Sequence, residues 1–239
     1  MATGTRPKSP LAPGLPPPSS AFEQAVYQIL NAHNLAGATQ RTVDRKDIAS
    51  LASEEFVRAR NRLEVLSVQD AAGLTTVDFV HGTGGVLFEA GYAYSLHGLG
   101  LVPTTNIVQP HMLVSTDAGA TWAATTYDWG GYALRLGSAA TVPGLVNTTL
   151  IRLWGDLSMG SASGENFNFD VEWAGLAQSS VYATCTVTGW GYDDAPGSGQ
   201  YRGIGAYKTL AAIDGLRVAE SSGNGFSAGK VWLQRVKLT

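Results

Sequence analysis

Residues 166–175 read NFNFDVEWAG, and this stretch decides the fold class of the chain. From Phe167 through Phe169 and Val171 to Trp173 every second residue is apolar, and the residues between are polar or charged. That period of two is typical of a β-strand with one face in a core and the other toward water. Residues 179–190, SSVYATCTVTGW, repeat the pattern. Both stretches predict half-buried strands, and in the second the core positions are Val181, Ala183, Cys185 and Val187.

Further strand candidates surround these two, and Gly, Asn, Asp and Pro separate them, as is typical of turns. They are residues 75–82, 109–116, 132–137, 148–157, 213–222 and 229–239. Helical periodicity is absent from the sequence after about residue 73. The sequence therefore predicts a mainly β domain over residues 73–239, folded as an antiparallel sandwich or barrel.

The N-terminal part of the chain has a different character. Residues 1–20 hold six of the ten prolines and favour an extended polyproline II conformation. They are either a disordered tail or an extended anchor that docks on another protein. The candidate docking residues are Pro7, Pro10, Pro13, Pro16, Pro17 and Pro18.

Residues 21–70 are predicted to be a helical neck or attachment region. Ser20 and Glu23 form a capping box at the start of a short amphipathic helix that ends near Gly37. A second helix is predicted over residues 47–67, where apolar residues recur every three or four positions. That helix either packs on its own domain or forms a short coiled-coil neck between copies of the chain. Its apolar positions are Ile48, Ala52, Phe56, Ala59, Leu63 and Leu66.

Composition narrows the classes of function. Charged residues make up 15% of the chain and the net charge is −3, so no basic surface favours nucleic acid or an anionic membrane. Cys185 is the only cysteine, which excludes an intrachain disulfide. We expect no secretory signal and no membrane insertion, because no long apolar run occurs.

Residues 115–122, STDAGATW, match the Asp-box pattern S-x-D-x-G-x-T-W of sialidase propellers. A propeller repeats its motif in each blade, whereas this sequence has a single copy. The pattern is also typical of a β-hairpin turn, in which Asp117 bonds its own backbone and Gly119 takes a positive φ. We therefore predict a solvent-edge hairpin turn formed by Ser115, Asp117, Gly119 and Trp122, without a catalytic role.

Other catalytic motifs are lacking. The histidines do not form a zinc-hydrolase motif, and no G-x-S-x-G elbow occurs. Asp193 and Asp194 lie in a Gly- and Pro-rich loop, where they either bind a cation or are solvated turn residues. We expect no enzymatic activity, no cofactor and no metal.

Several segments of the β region resemble the jelly-roll-like sandwich of tailed-phage fibre and other virion structural proteins. They are TTVDFVHG at 75–82, YAYSLHGLGLVP at 92–103, MLVSTDAGATWAATTYDWGGYAL at 112–134 and AIDGLRVAESSGNGFSAGKVWLQRVKLT at 212–239. The resemblance implies a virion protein, with a tail fibre or tail-tip component favoured. It also implies attachment to other virion proteins through residues 1–70 and a homo-oligomer, with a trimer favoured. A head fibre or capsid decoration protein, and a carbohydrate-binding module, remain the alternatives.

Aromatic residues in two Gly-rich stretches are candidates for binding a host-surface glycan. They are Tyr127, Trp129 and Tyr132 in TYDWGGY, and Trp190, Tyr192 and Tyr201 in GWGYDDAPGSGQY. Sugar rings present apolar C–H faces that stack on aromatic rings. Aromatics in Gly-rich loops are harder to explain as core than those at period two. The alternative is that they pack between subunits of an oligomer.

Overall fold

The computed structural model describes residues 63–137, 140–141, 143–192 and 197–238. The chain has two compact units, Met1–Ala59 and Arg60–Thr239, and every described residue belongs to the second. The predicted Pro-rich anchor, the first predicted helix and most of the second lie outside the described residues.

The described residues form twelve β-strands and no helix. Their bounds are β1 Leu63–Asp70, β2 Val77–Val80, β3 Tyr92–Pro103, β4 Pro110–Ser115, β5 Tyr127–Arg135, β6 Gly144–Thr148, β7 Ile151–Arg152, β8 Asn166–Ala174, β9 Ala183–Tyr192, β10 Ser198–Tyr207, β11 Gly215–Glu220 and β12 Phe226–Lys237. The predicted mainly β fold is confirmed.

The strands form two antiparallel sheets of unequal size. The larger has the order β1-β12-β3-β8-β9-β10-β5-β6, and the smaller has the order β2-β11-β4-β7. The chain passes repeatedly from one sheet to the other, so that strands adjacent in sequence often lie in different layers. This arrangement is a β-sandwich, in which two inner faces share one core.

The period-two strands place their apolar side chains in that core. Phe167, Phe169, Val171 and Trp173 of β8 are buried, and so are Ala183, Cys185 and Val187 of β9. Strands of the smaller sheet supply Phe79, Met112 and Leu216 to the same cluster. Val181 is the exception among the predicted core positions, since it precedes β9 and is exposed. Burial raises the pKa of the Cys185 thiol to about 12.

The predicted second helix is wrong at its C-terminal end. Residues 63–70 are a strand, β1, which pairs along its length with β12. Leu63 and Leu66, assigned to a helical seam from their spacing, therefore belong to the sandwich. Pairing with an existing sheet overrides a local helical pattern when the partner strand offers a full ladder of hydrogen bonds.

An ion-pair cluster attaches β1 to the sandwich. Arg235 of β12 is buried, and its guanidinium contacts Glu64 of β1 at 2.7 Å and Glu89 at 2.6 Å. Its carbon atom Cζ also lies 4.2 Å from the centre of the Tyr92 ring. A buried guanidinium with two carboxylates and an aromatic face has most of its donors satisfied.

No helix in the described part of the chain has the length and apolar character needed to cross a membrane.

Candidate functional site

The outer face of the larger sheet carries the residues that point away from the core. One row of paired residues crosses six strands, from β12 through β3, β8, β9 and β10 to β5. Its members are Trp232, His97, Asp170, Thr188, Arg202 and Tyr132. Aromatic rings, hydroxyls and charged groups thus alternate across a single open surface, which we call the outer face.

Three of the six aromatic candidates share the outer face. Tyr132 on β5 is 49% exposed, and Trp190 and Tyr192 on β9 are 39% and 49% exposed. Trp190 pairs with Gln200 and Asn168, which lie on the strands either side of β9. The three rings are therefore open to a ligand, and the exposed amide of Gln200 beside Trp190 can bond a hydroxyl.

The other three candidates are core residues. Tyr127, Trp129 and Tyr201 are buried, which excludes them from contact with a glycan in this structure. The hydroxyl of Tyr127 donates to the Ala123 carbonyl and accepts from the Val114 amide. Burial raises the pKa of the Tyr127 and Tyr201 hydroxyls well above the ordinary value for tyrosine. The expectation that all six lie in loops is also wrong, because β5, β9 and β10 contain them.

Paired glycines explain why Tyr201 is buried. Gly131 and Gly203 face each other across β5 and β10, and the Tyr201 ring fills the space over both. A Cβ at Gly203 would lie 2.0 Å from the Tyr201 hydroxyl oxygen, so an alanine there does not fit unless the ring moves. The Gly-rich pattern thus reflects close packing of an aromatic side chain on glycine.

A groove of about 1520 Å³ runs over the outer face. Tyr132, Arg202 and Ile204 line it together with Glu172 and with Leu145 of β6. Gly130 and Gly144 pair at one side of the groove. Because glycine has no side chain, nothing projects into the groove from these two positions. The groove is open to solvent along the sheet surface rather than enclosed within the core.

The groove wall formed by β6 is held by a charged side chain. Lys208 Nζ lies 2.9 Å from Asp128 Oδ1 and donates to Asn147 Oδ1 at 2.7 Å. Asp128 in turn accepts the Asn147 backbone N–H at 2.8 Å. The hydrogen bond from Lys208 lowers the pKa of Asp128. These bonds fix the β5–β6 edge, so that Leu145 is presented to the groove by an ordered strand.

A histidine–carboxylate pair occupies the middle of the outer face. His97 Nδ1 and Asp170 Oδ1 are 2.5 Å apart, and the Trp232 ring stacks on His97 with ring centres 5.0 Å apart. His97 Nε2 is buried and has no hydrogen-bond partner among the described residues. The pair orients Asp170 within the sheet, which leaves its second carboxylate oxygen for other partners.

The STDAGATW segment is a turn, as predicted, but not a hairpin. It follows β4 of the smaller sheet, and the next strand, β5, belongs to the larger sheet. Asp117 Oδ1 accepts from the Ser115 hydroxyl and from the Thr121 N–H, both at 2.8 Å. Gly119 has a φ of +79°, as the turn requires. Thr121 and Trp122 do not begin a strand.

Hydrogen bonds to the turn lower the pKa of Asp117, and the largest is that from the Thr121 hydroxyl. All the contacts described for the Asp117 side chain stay within Ser115–Thr121. Trp122 lies against Arg217, whose Cζ is 4.2 Å from the ring centre. The hydrogen bonds of this motif therefore stabilise the loop that crosses between the two sheets.

The remaining sequence candidates give no site in the described region. Asp193 and Asp194, and the six prolines of residues 1–20, lie outside the described residues. Within the part of the chain that the structure describes, no group of three His, Cys, Asp or Glu side chains could hold a metal ion.

Comparison of the chain with protein-family models, with curated proteins and with solved structures finds no match.

Strand parity is the signal that separates the buried aromatics from the exposed ones. Trp190 and Tyr192 continue the polar positions Thr184, Thr186 and Thr188, so the alternation in β9 already places them outward. Tyr132 falls on the opposite parity from Tyr127 and Trp129. Arg202 and Ile204 could not be found this way, because the Gly-rich sequence of β10 does not read as a strand.

Proposed function

We propose that this chain is a structural protein of a phage virion whose β-sandwich binds host-surface glycans on its outer face. The observation that carries the proposal is that three exposed aromatic rings, those of Tyr132, Trp190 and Tyr192, share the outer face of the larger sheet. Sugar rings bury C–H faces against such aromatic rings, while neighbouring side chains bond the hydroxyls. The groove beside Tyr132 can accept several linked sugars in a row.

The virion assignment rests on the resemblance of residues 74–239 to phage fibre proteins. A tail fibre or tail-tip component, attached by residues 1–70, is the favoured position on the particle. A head fibre or capsid decoration protein would use the same outer face. Mapping the particle protein that residues 1–20 cross-link to separates these positions.

We propose binding without cleavage. Asp170 is already bonded to His97, and Glu172 lies on an open strand face rather than in an enclosed cleft. Glycoside hydrolysis needs two carboxyl groups on either side of the scissile bond. Incubation with host polysaccharide should therefore release no reducing ends.

The test of the proposed function is adsorption of the full-length protein to host cells. Trp190→Ala and Tyr132→Ala should each weaken adsorption about tenfold, which corresponds to about 1.4 kcal/mol for a lost stacking contact. Tyr182→Ala is the matched control, because Tyr182 is 51% exposed but lies in the loop before β9. Adsorption that is unchanged in both of these outer-face variants, or lowered equally in the control, would contradict the proposal.

A carbohydrate-binding module outside any virion is the second candidate, and the same exposed aromatics favour it. It predicts sugar binding by a monomer, and it gives residues 1–20 no docking role. Deletion of residues 1–20 distinguishes the two candidates. It should prevent incorporation into particles if the chain is a virion protein, whereas a module whose function is sugar binding would keep that function in full.

A further inference from the structure

We infer that the groove selects glycans that carry carboxylate groups, and that Arg202 binds the sugar carboxylate. This inference rests on the proposed function and names the class of glycan that the outer face takes. Uronic and sialic acids share the required chemistry, an apolar ring face with an attached carboxylate.

The first support is that Arg202 is the one unpaired arginine among the described residues. The Arg202 side chain is exposed in the groove, and among the described residues it has no hydrogen-bond or ion-pair partner. Every other described arginine is engaged. Arg152 lies near Asp156, Arg217 pairs with Asp78, Arg235 binds two glutamates, and Arg135 also has a partner.

The second support is the position of Arg202 among apolar and aromatic groups. It pairs directly with Tyr132 on β5, and Ile204 follows it on the same side of β10. Ile204 is 67% exposed and Leu145 is 56% exposed. A sugar ring stacked on Tyr132 would place a ring substituent over the guanidinium, whose planar fork matches a carboxylate with two hydrogen bonds.

The acidic residues of the outer face do not neutralise this site. Asp170 is bonded to His97, Asp128 is paired with Lys208, and Glu172 lies on β8, two strands from β10. Two strand spacings amount to about 10 Å, with the Thr186 and Thr188 side chains between. At that distance salt screens most of the repulsion between Glu172 and a bound carboxylate. Glu172 and the two threonines then remain as partners for sugar hydroxyls.

The test compares two probes that differ only in charge. Isothermal titration with the full-length protein would use oligogalacturonate and its methyl ester, with oligosialate as a second acidic probe. We expect the acid to bind about tenfold more tightly than the ester, as for one charge-assisted bidentate contact. Raising the salt concentration should weaken binding of the acid and leave that of the ester unchanged.

Variants assign the preference to Arg202. Arg202→Gln should lower the affinity for the acid to that for the ester, and Arg202→Lys should give an intermediate value because it keeps the charge but loses the fork. Lys230→Gln is the charge-matched control. Lys230 is exposed on β12, four strands from β10, so this variant should keep the full preference for the acid.

The other possible results each contradict either the role of Arg202 or the preference for carboxylates. Equal affinity for acid and ester, or a preference that survives Arg202→Gln, overturns the inference about Arg202. If Tyr132→Ala still lowers cell adsorption in that case, the proposed glycan function stands without it. If neither acidic probe binds, carboxylate selection is wrong, and the adsorption assay alone decides the proposed function. Melting temperatures of the Arg202 variants should match that of the unaltered protein, since Arg202 makes no hydrogen bond or ion pair among the described residues.

Discussion

Tyr201 and Tyr132 show how neighbouring strands give one residue type opposite roles. Tyr201 packs over Gly131 and Gly203 in the core, whereas Tyr132 is half exposed on the outer face. We expect Tyr201→Ala to lower the free energy of unfolding by about 3–5 kcal/mol, the cost of removing a buried aromatic ring. Tyr132→Ala should change it by less than about 0.5 kcal/mol. Urea unfolding followed by fluorescence measures both.

The hydroxyl of Tyr201 provides the control for that prediction. It is buried and has no hydrogen-bond partner among the described residues. Replacing an unsatisfied buried hydroxyl by hydrogen removes a desolvation cost, so Tyr201→Phe should be neutral or stabilising. A large loss of stability in Tyr201→Phe would show that the hydroxyl has a role that packing does not explain.

Asp117 gives a prediction about pH. Its pKa in the folded protein lies below the ordinary value of 3.8, since Thr121 and Ser115 donate hydrogen bonds to its carboxylate. A lowered pKa contributes stability that is fully present above pH 3.8 and lost as pH falls through the folded-state pKa. At neutral pH, Asp117→Ala should lower the melting temperature by about 2–4 °C. That difference should shrink below pH 3.8.

Thermal unfolding monitored by circular dichroism across this pH range checks the prediction. Thr116→Ala is a suitable control, because Thr116 is exposed in the same turn. A difference between Asp117→Ala and the unaltered protein that stays constant down to low pH would show that the carboxylate's charge is not what stabilises the turn.

At the scale of elements, alternation of apolar and polar residues predicted β8 and β9 well. Where the period of two is clean, burial on one face leaves no other register for the strand. β10 was missed because glycines stand at 199, 203 and 205, where the core needs space for Tyr201 and other large side chains. β6 was missed because its residues are mostly exposed, and an edge strand shows no apolar alternation.

Only part of the candidate site could be predicted from the sequence, for a related reason. Aromatic residues were found by type, but their depth depends on the parity of each strand and on which strands become neighbours. Arg202 became notable only when pairing placed it beside Tyr132, and the pairing of β10 with β5 joins residues that are far apart in the sequence. No local pattern contains that information.

β1 gives a prediction at the element scale. Arg235 connects β12 to Glu64, so Arg235→Gln removes the ion pair that attaches this edge strand. We expect faster hydrogen exchange of the β1 amides and a loss of about 2 kcal/mol, below the usual range for a broken buried pair because both glutamates are half exposed. Amides in β8 should be unaffected until the whole sandwich opens, and equal acceleration in β8 would contradict the prediction.

At the scale of the whole molecule, the proposed virion role assigns different tasks to the two ends of the chain. Deletion of residues 1–20 should leave the β-type circular dichroism spectrum unchanged, because every described strand of the sandwich lies within residues 63–237. The same deletion should prevent incorporation into particles, if the proline-rich segment is the docking peptide that we propose. Normal incorporation of the shortened protein would contradict that role. A scrambled segment that keeps the prolines is the matched control for its composition.

The oligomeric state is the other prediction at this scale. We propose a homo-oligomer, with a trimer favoured by the resemblance to fibre proteins. Light scattering of the full-length protein at micromolar concentration should then give a mass of about three chains. A stable mass of one chain, about 25.1 kDa, would contradict the proposal and favour the carbohydrate-binding module.

Cys185, the single cysteine of the chain, can report how often the sandwich opens. Its thiol is buried against Gly205 in the middle of the larger sheet, and its pKa of about 12 leaves almost no thiolate in the folded state. A thiol reagent can therefore label the chain only when β9 separates from its neighbours. Because no other cysteine competes, the labelling rate in mild denaturant reports how often the sheet opens, without any introduced probe. Ligand that binds the outer face should slow that rate in proportion to its occupancy.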